Sequence, residues 1–255
     1  MFTLVITFFI IKVSANIQLE LYLIFIHRIR HTDNASFNQP FMEKFMRPSL
    51  KLLISVFSIL IVSGCAVGNK HNYSDSAPII KGTQGNKLGL GTQDQRVYVI
   101  SGDKSAAFVG LSRGGFGNPF NVETESGKPL ADDITNAVSR ALSKKGVQIT
   151  EISIPLQMDQ ADIVKRLTQS SNKAVFISIK EWKSDTYQNT SLNYNIQVQV
   201  IDLSGKVIAQ KSISGNDNLG GDFINPPGHA KRVIPPAFQA KLELLFSDPA
   251  IASHL

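Results

Sequence analysis

The stretch Leu192 to Val200 constrains the fold most. Leu192, Tyr194, Ile196, Val198 and Val200 alternate with Asn193, Asn195, Gln197 and Gln199. Strict period two calls for a half-buried strand, with one face on a core and the other in water. Asp202-Leu203-Ser204-Gly205 then carries turn chemistry, and Lys206 to Ser214 reads as the returning strand of an antiparallel hairpin. Just upstream, Ala174-Val-Phe-Ile-Ser-Ile179 is almost continuously apolar, as a central strand buried on both faces would be.

The helices are legible by their stripes. Leu130, Ile134, Ala137, Val138, Ala141 and Leu142 fall on one face of a helix over residues 130–145. Pro129 suits its first turn, Asp132 and Asp133 its positive end, and Lys144 and Lys145 its negative end. Gly146 is placed to end it. Adjacent residues point about 100° apart on a helix, so Asp132 and Asp133 do not share an acid–base site. Residues 147–154 alternate as a strand, and a shorter helix spans 159–167. Pro235-Pro236 opens a last helix to about Phe246, with Ile234, Phe238, Leu242 and Leu245 for burial. Arg96 to Ser101 reads as the first strand, and 106–111 extends or pairs with it. The expected fold class is α/β, an α+β sandwich. It has one mixed, largely antiparallel sheet with two to three helices packed on it.

Two irregular stretches interrupt this pattern. Residues 112–121 hold Gly114, Gly115, Gly117 and Pro119 and read as a loop. The glycine spacing is wrong for a dinucleotide fingerprint, and no helix opens there. Arg113, Phe116 and Phe120 make this loop a candidate contact site for a partner. Residues 215–232, rich in Gly, Asn and Pro, read as a second loop. Asp217, Asp222 and His229 lie there without a metal-ligand motif. His71, His229 and His254 are not spaced as ligands for one another, so no metal is expected. There is no Gly-x-Ser-x-Gly elbow, no Ser-x-x-Lys signature in an apt context and no Walker loop. The expectation is no catalytic residue, no cofactor and no enzyme.

Upstream of the folded part, Met46 to Cys65 has a basic start, an apolar run from Leu52 to Val62, small residues and the chain's one cysteine. Those are the three regions of a secretory signal, expected over 46–64. A lone cysteine excludes an intrachain disulfide. The 191 residues from Cys65 onward suffice for one domain with a real core. Residues 1–64 hold six Lys/Arg and three Asp/Glu, against twenty and seventeen in 65–255. The basic residues of the latter part are scattered, which argues against nucleic acid. Residues 65–95, rich in Gly, Asn, Ser and Lys, read as a flexible tether with a typical span of about 30 Å. The domain is expected over 96–250. Residues 1–45 are expected to be sequence upstream of a true start at Met46 or Met42. The alternative is a membrane segment of their own, although Lys12 and Glu20 interrupt the span.

Val62-Ser63-Gly64-Cys65 resembles the lipobox of a bacterial lipoprotein. The helix ending in Lys-Lys-Gly, the strand 174–179, the hairpin Tyr194 to Gln210 and the C-terminal helix resemble the outer-membrane lipoproteins of the YajG type. More broadly they resemble the N-terminal domain of TolB and the domains of curli-secretion and penicillin-binding-protein-activator lipoproteins. The resemblance implies a diacylglycerol on the Cys65 thiol, cleavage after Gly64 and acylation of the new amine, and it brings no catalytic residue. Ala66 is not the aspartate that commonly retains a lipoprotein in the inner membrane. The implied location is therefore the outer membrane of a Gram-negative bacterium, facing the periplasm. The implied function is a non-enzymatic envelope protein that binds a protein partner or supports assembly. The alternative is a small-ligand or glycan-binding domain, or a hydrolase with an unrecognised site, using loops 112–121 and 215–232.

Overall fold

The computed structural model describes residues 69–80, 87–169 and 171–255. The expected signal peptide 46–64, its expected cleavage site and Cys65 lie outside these residues, as do residues 1–45. In chain order the elements are β1 (Lys70–His71), β2 (Lys87–Asp94), α1 (Val97–Ile100), β3 (Phe108–Arg113), β4 (Pro119–Thr124) and α2 (Leu130–Ser143). There follow β5 (Gln148–Glu151), α3 (Gln160–Thr168), β6 (Lys173–Thr186), β7 (Asn189–Asp202), β8 (Val207–Gly221), α4 (Pro226–Phe246) and α5 (Pro249–Ala252).

Among the described residues one mixed sheet carries all eight strands. The longest ladders, β6 with β7 and β7 with β8, are antiparallel. Shorter parallel ladders join β2 to β5 and β6, β3 to β6, and β1 to β4. β6 is the hub. One of its edges faces β7 along its length. Its other edge pairs β2 over Lys173–Ile179 and then β3 over Ser184–Thr186. The register shift between Ile179 and Glu181 falls between those two partners.

Alternation along β2 and β6 builds two cores, because successive side chains point to opposite faces. Leu88, Leu90, Val175, Ile177 and Ile179 join one cluster with the buried faces of α2 and α4. Ala174 and Phe176 join a smaller one with Ile163 and Leu167 of α3. Helices therefore cover both faces of the sheet, and the α/β class stands.

Residues 65–95 are not all tether. β2 sits between β5 and β6, with every residue from Leu88 to Asp94 buried. Its glycines do not signal flexibility. A Cβ on Gly89 would come within 2.6 Å of the Leu167 carbonyl oxygen, and one on Gly91 within 2.9 Å of the Ile152 carbonyl oxygen. The Leu-Gly-Leu-Gly pattern is thus period two, with large residues toward α2 and none where neighbouring backbone comes close. Tyr73 and Ile80 are also core residues, so the domain begins well before residue 96. It continues past 250, since Ile251 and Leu255 are buried.

Arg96 to Ser101 forms α1 rather than a strand. The Asp94 carboxylate accepts from the Arg96 backbone N–H at 3.2 Å and helps turn the chain out of β2. Residues 112–121 are mostly strand, with a short connection over 114–118. The expected loop 215–232 is the end of β8 and the start of α4. Among the described residues β8 pairs only with β7, and its polar, Gly-containing sequence suits an exposed edge. α4 opens at Pro226, not Pro235. Asn225 accepts from the Gly228 N–H, and Pro226 and Pro227 occupy the first turn, where no N–H is needed. Pro235 and Pro236 lie inside the helix. Burial of Ile234, Phe238, Leu242, Leu245 and Phe246 offsets the hydrogen bonds they remove.

Candidate functional site

The topology gathers three connections at one end of the sheet. β3 and β6 are parallel, and Ser112 lies opposite Thr186. The β3–β4 connection and the β6–β7 turn are therefore neighbours. β8 ends opposite the start of β7, at Asn189 and Gly221, which brings the 222–225 connection to the same end. Hydrogen bonds tie the three together. Tyr187 Oη donates to the Gly115 carbonyl at 3.3 Å, and the Asp222 N–H donates to the Gln188 carbonyl at 3.2 Å.

The three residues singled out in the sequence divide here. Arg113 is engaged in a bidentate pair with Asp185 of β6, at 2.8 Å through Nε and 2.6 Å through Nη2. The carboxylate raises the guanidinium pKa, and the pair serves to fasten β3 to β6. Phe116 is fully exposed and Phe120 half-exposed. Sequence reasoning missed their companions. Tyr187 is 43 % exposed, Phe223 82 % and Ile224 96 %, and all sit on the neighbouring connections. Only the strand register places them together; no local signal marks Tyr187 or the Phe223-Ile224 pair.

The polar residues of 215–232 have structural partners. The Asp217 carboxylate pairs with the Lys241 ammonium at 2.5 Å, which also donates to Tyr194 Oη at 3.1 Å. Burial by itself would lower the Lys241 pKa, but its bonds to Asp217 and Tyr194 leave it raised. Asp222 accepts from the N–H groups of Asn225 and Ile224 at 2.9 Å each, and its pKa is lowered by them. His229 Nε2 lies 3.1 Å from the Leu219 carbonyl oxygen. Among the described residues no group of three or more His, Cys, Asp or Glu could hold a metal ion.

His71 and the carboxyl-bearing start of α2 are elsewhere. His71, on β1, is buried, with Nε2 3.4 Å from Ser184 Oγ of β6. Burial, with Lys231 adding to it, pushes its imidazole down to about 4. Asp133 is buried and accepts from Ser126 Oγ at 2.9 Å. Burial raises its pKa against that bond. Asp132 instead borders a polar cleft of about 340 Å³ with Thr92, Lys128, Thr135 and Asn136. A second cleft of about 460 Å³ lies between Ile79 and α4. Both lie away from the end of the sheet where residues 112–121 and 222–225 meet.

A mixed curled sheet with helices on both faces and an apolar end defines an α/β domain. No protein-family model and no curated protein matches the chain by sequence. Solved structures with a similar arrangement include a DUF330 protein from Xanthomonas campestris. It is 12 % identical, with a TM-score of 0.44, over 72 % of this chain and 92 % of that one. A minor lipoprotein from Acinetobacter baumannii is 9 % identical, with a TM-score of 0.31, over 65 % and 93 %. A lipoprotein from Neisseria meningitidis is 10 % identical, with a TM-score of 0.24, over 62 % and 99 %. Among the described residues no helix is long and apolar enough to cross a membrane.

Proposed function

We propose that this is a lipid-anchored envelope protein of the YajG type. It would be held on the periplasmic face of the outer membrane, and its domain would act by contact with an envelope protein rather than by catalysis. The observation that carries the reading is the sequence Val62-Ser63-Gly64-Cys65 at the end of a complete tripartite signal. Its position against the fold adds support. Cys65 is only four residues ahead of Asn69, whose carbonyl accepts from the Glu123 N–H at 3.2 Å. An extended chain spans at most about 3.6 Å per residue, so the anchor lies within about 14 Å of the sheet. Two or more acyl chains hold such a protein stably, whereas one holds it marginally.

The test is metabolic labelling with a palmitate analogue, followed by membrane fractionation. The wild-type chain should take the label and sediment with the outer membrane, and Cys65→Ser should do neither. Equal labelling of both sinks the anchor. N-terminal peptides from residues 1–41 in the cellular protein sink the start at Met46.

A small-ligand reading now belongs to the polar cleft at the start of α2, where Thr92, Thr135, Asn136 and Lys128 converge. Saturable binding of a polar metabolite lost on Asn136→Ala would favour it over partner contact.

A further inference from the structure

We propose that the end of the sheet carrying Phe116, Phe120, Tyr187, Phe223 and Ile224 docks on the lipid leaflet that holds the Cys65 acyl chains. This rests on the lipid-anchor reading above.

The direction of β1 supplies the argument. β1 runs parallel to β4, with Lys70 opposite Glu123 and His71 opposite Thr124. β4 starts at the apolar end, at Pro119, and runs away from it. The chain therefore enters β1 from that same end. Asn69 is held there by donating through Nδ2 to Ser112 Oγ at 2.9 Å, and Ser112 lies opposite Phe120. From Asn69 the remaining four residues reach about 14 Å, while Pro119 is three strand positions beyond Val122, or about 10 Å. The anchor and the apolar end thus lie within reach of each other.

The chemistry of that end fits a leaflet. Phe116 is fully exposed, and Phe223 and Ile224 are 82 % and 96 % exposed. With Tyr187 they sit on three adjacent connections, at strand ends rather than on a sheet face. Phe and Ile side chains insert at the headgroup–acyl boundary as the apolar residues of an interfacial element do, and a tyrosine such as Tyr187 suits the headgroup level. The Tyr187 hydroxyl is already directed to the Gly115 carbonyl. Arg113 is paired with Asp185 and Arg232 with Asp222, so neither guanidinium approaches lipid as an isolated ion. A leaflet contact also adds to the acyl chains as a second attachment and sets the domain's orientation. The opposite end, at the β7–β8 turn, is left facing the periplasm.

The test uses the full, lipidated protein on vesicles of phosphatidylethanolamine with a minority of phosphatidylglycerol, with and without bromine on the acyl chains. Trp182 is buried and provides a constant background. Tryptophan is placed singly by Phe116→Trp, Phe223→Trp and, as a control at the far end, Leu203→Trp. The first two should be quenched at least twofold by the brominated lipid and blue-shifted, while Leu203→Trp should be unaffected. Retention on vesicles without quenching at 116 and 223, or with equal quenching at 203, overturns this inference and leaves the anchor intact. Crosslinking of one envelope protein from position 116 or 223, again without quenching, overturns it in favour of a protein occupant. An unlipidated mass with no retention overturns the anchor reading and this inference together.

Discussion

The indole Nε1 of Trp182 donates to Tyr73 Oη at 3.0 Å, across 109 residues of sequence. Both residues are fully buried, and both meet Phe238 edge-on, with ring centroids 4.9 and 5.5 Å away. The bond joins the N-terminal segment, the hub strand β6 and helix α4 in one aromatic cluster. Burial raises the Tyr73 hydroxyl pKa well above its usual value, so it stays protonated and retains its bonding role.

Tyr73→Phe leaves the Trp182 N–H buried without a partner. The expected loss is about 1–3 kcal/mol, read as a lowered urea midpoint with an unchanged slope. In a double-mutant cycle with Trp182→Phe, whose cavity carries its own cost, the two losses should be less than additive, because the orphaned donor is then gone. Additive effects would show that the bond contributes nothing.

Arg96→Met should be more damaging, by about 3–5 kcal/mol, since it strands a buried carboxylate. Arg96 is fully buried, and five acceptor contacts match the five N–H donors of a guanidinium. Nε and Nη2 reach the two Asp94 carboxylate oxygens at 2.8 and 2.6 Å. Nη1 donates to the carbonyls of Phe108 and Trp182, and Nη2 also to that of Ala106. The guanidinium thereby fastens β3 and β6 at the place where β2 ends. Arg96→Lys cannot fill that fork and should also be destabilised in thermal melts. A melting temperature within a degree or two of wild type would refute this role.

Glycine substitutions should separate close packing from flexibility. A Cβ on Gly110 would lie 2.5 Å from the Ser184 carbonyl oxygen, and one on Gly89 2.6 Å from that of Leu167. Gly110→Ala and Gly89→Ala should each cost about 1–3 kcal/mol or more by overpacking. Gly115 has nothing within 4 Å of its would-be Cβ, so Gly115→Ala should leave the midpoint unchanged. Equal effects at Gly89 and Gly115 would return β2 to the status of a tether.

The pH dependence should carry the signature of His71. Its imidazole protonates near 6.5 in the unfolded chain and near 4 in the folded one, burial being the main cause and Lys231 the second. Between those values the unfolded chain holds more protons. Stability should therefore fall as pH drops from about 6.5 to about 4 and level off below, for a total on the order of 3 kcal/mol. His71→Phe keeps an aromatic ring against Tyr73, whose centroid is 6.3 Å away, and should flatten that slope. Urea midpoints across this range, wild type against variant, decide it; parallel slopes would exclude His71 as the cause.

The sequence by itself determined the elements whose side chains repeat with one clear period. α2 was legible from its stripe and from Gly146, which takes φ +82° as a helix terminator must. β7 was legible because Leu192, Ile196, Val198 and Val200 are buried while the intervening Asn and Gln residues remain partly exposed. The proposed signal and Cys65 site are likewise read from a linear motif. Only the tertiary structure decided the role of β2, because whether Leu-Gly-Leu-Gly is tether or central strand depends on backbone from α3 and residue 152 lying against it. It also decided α4, where packing outweighs two internal prolines, and β8, whose polar sequence is that of an edge. The apolar end was equally out of reach. Phe116, Tyr187 and Phe223 are far apart in the chain, and they become neighbours only through the shared edge of β6 and the register of β7 with β8.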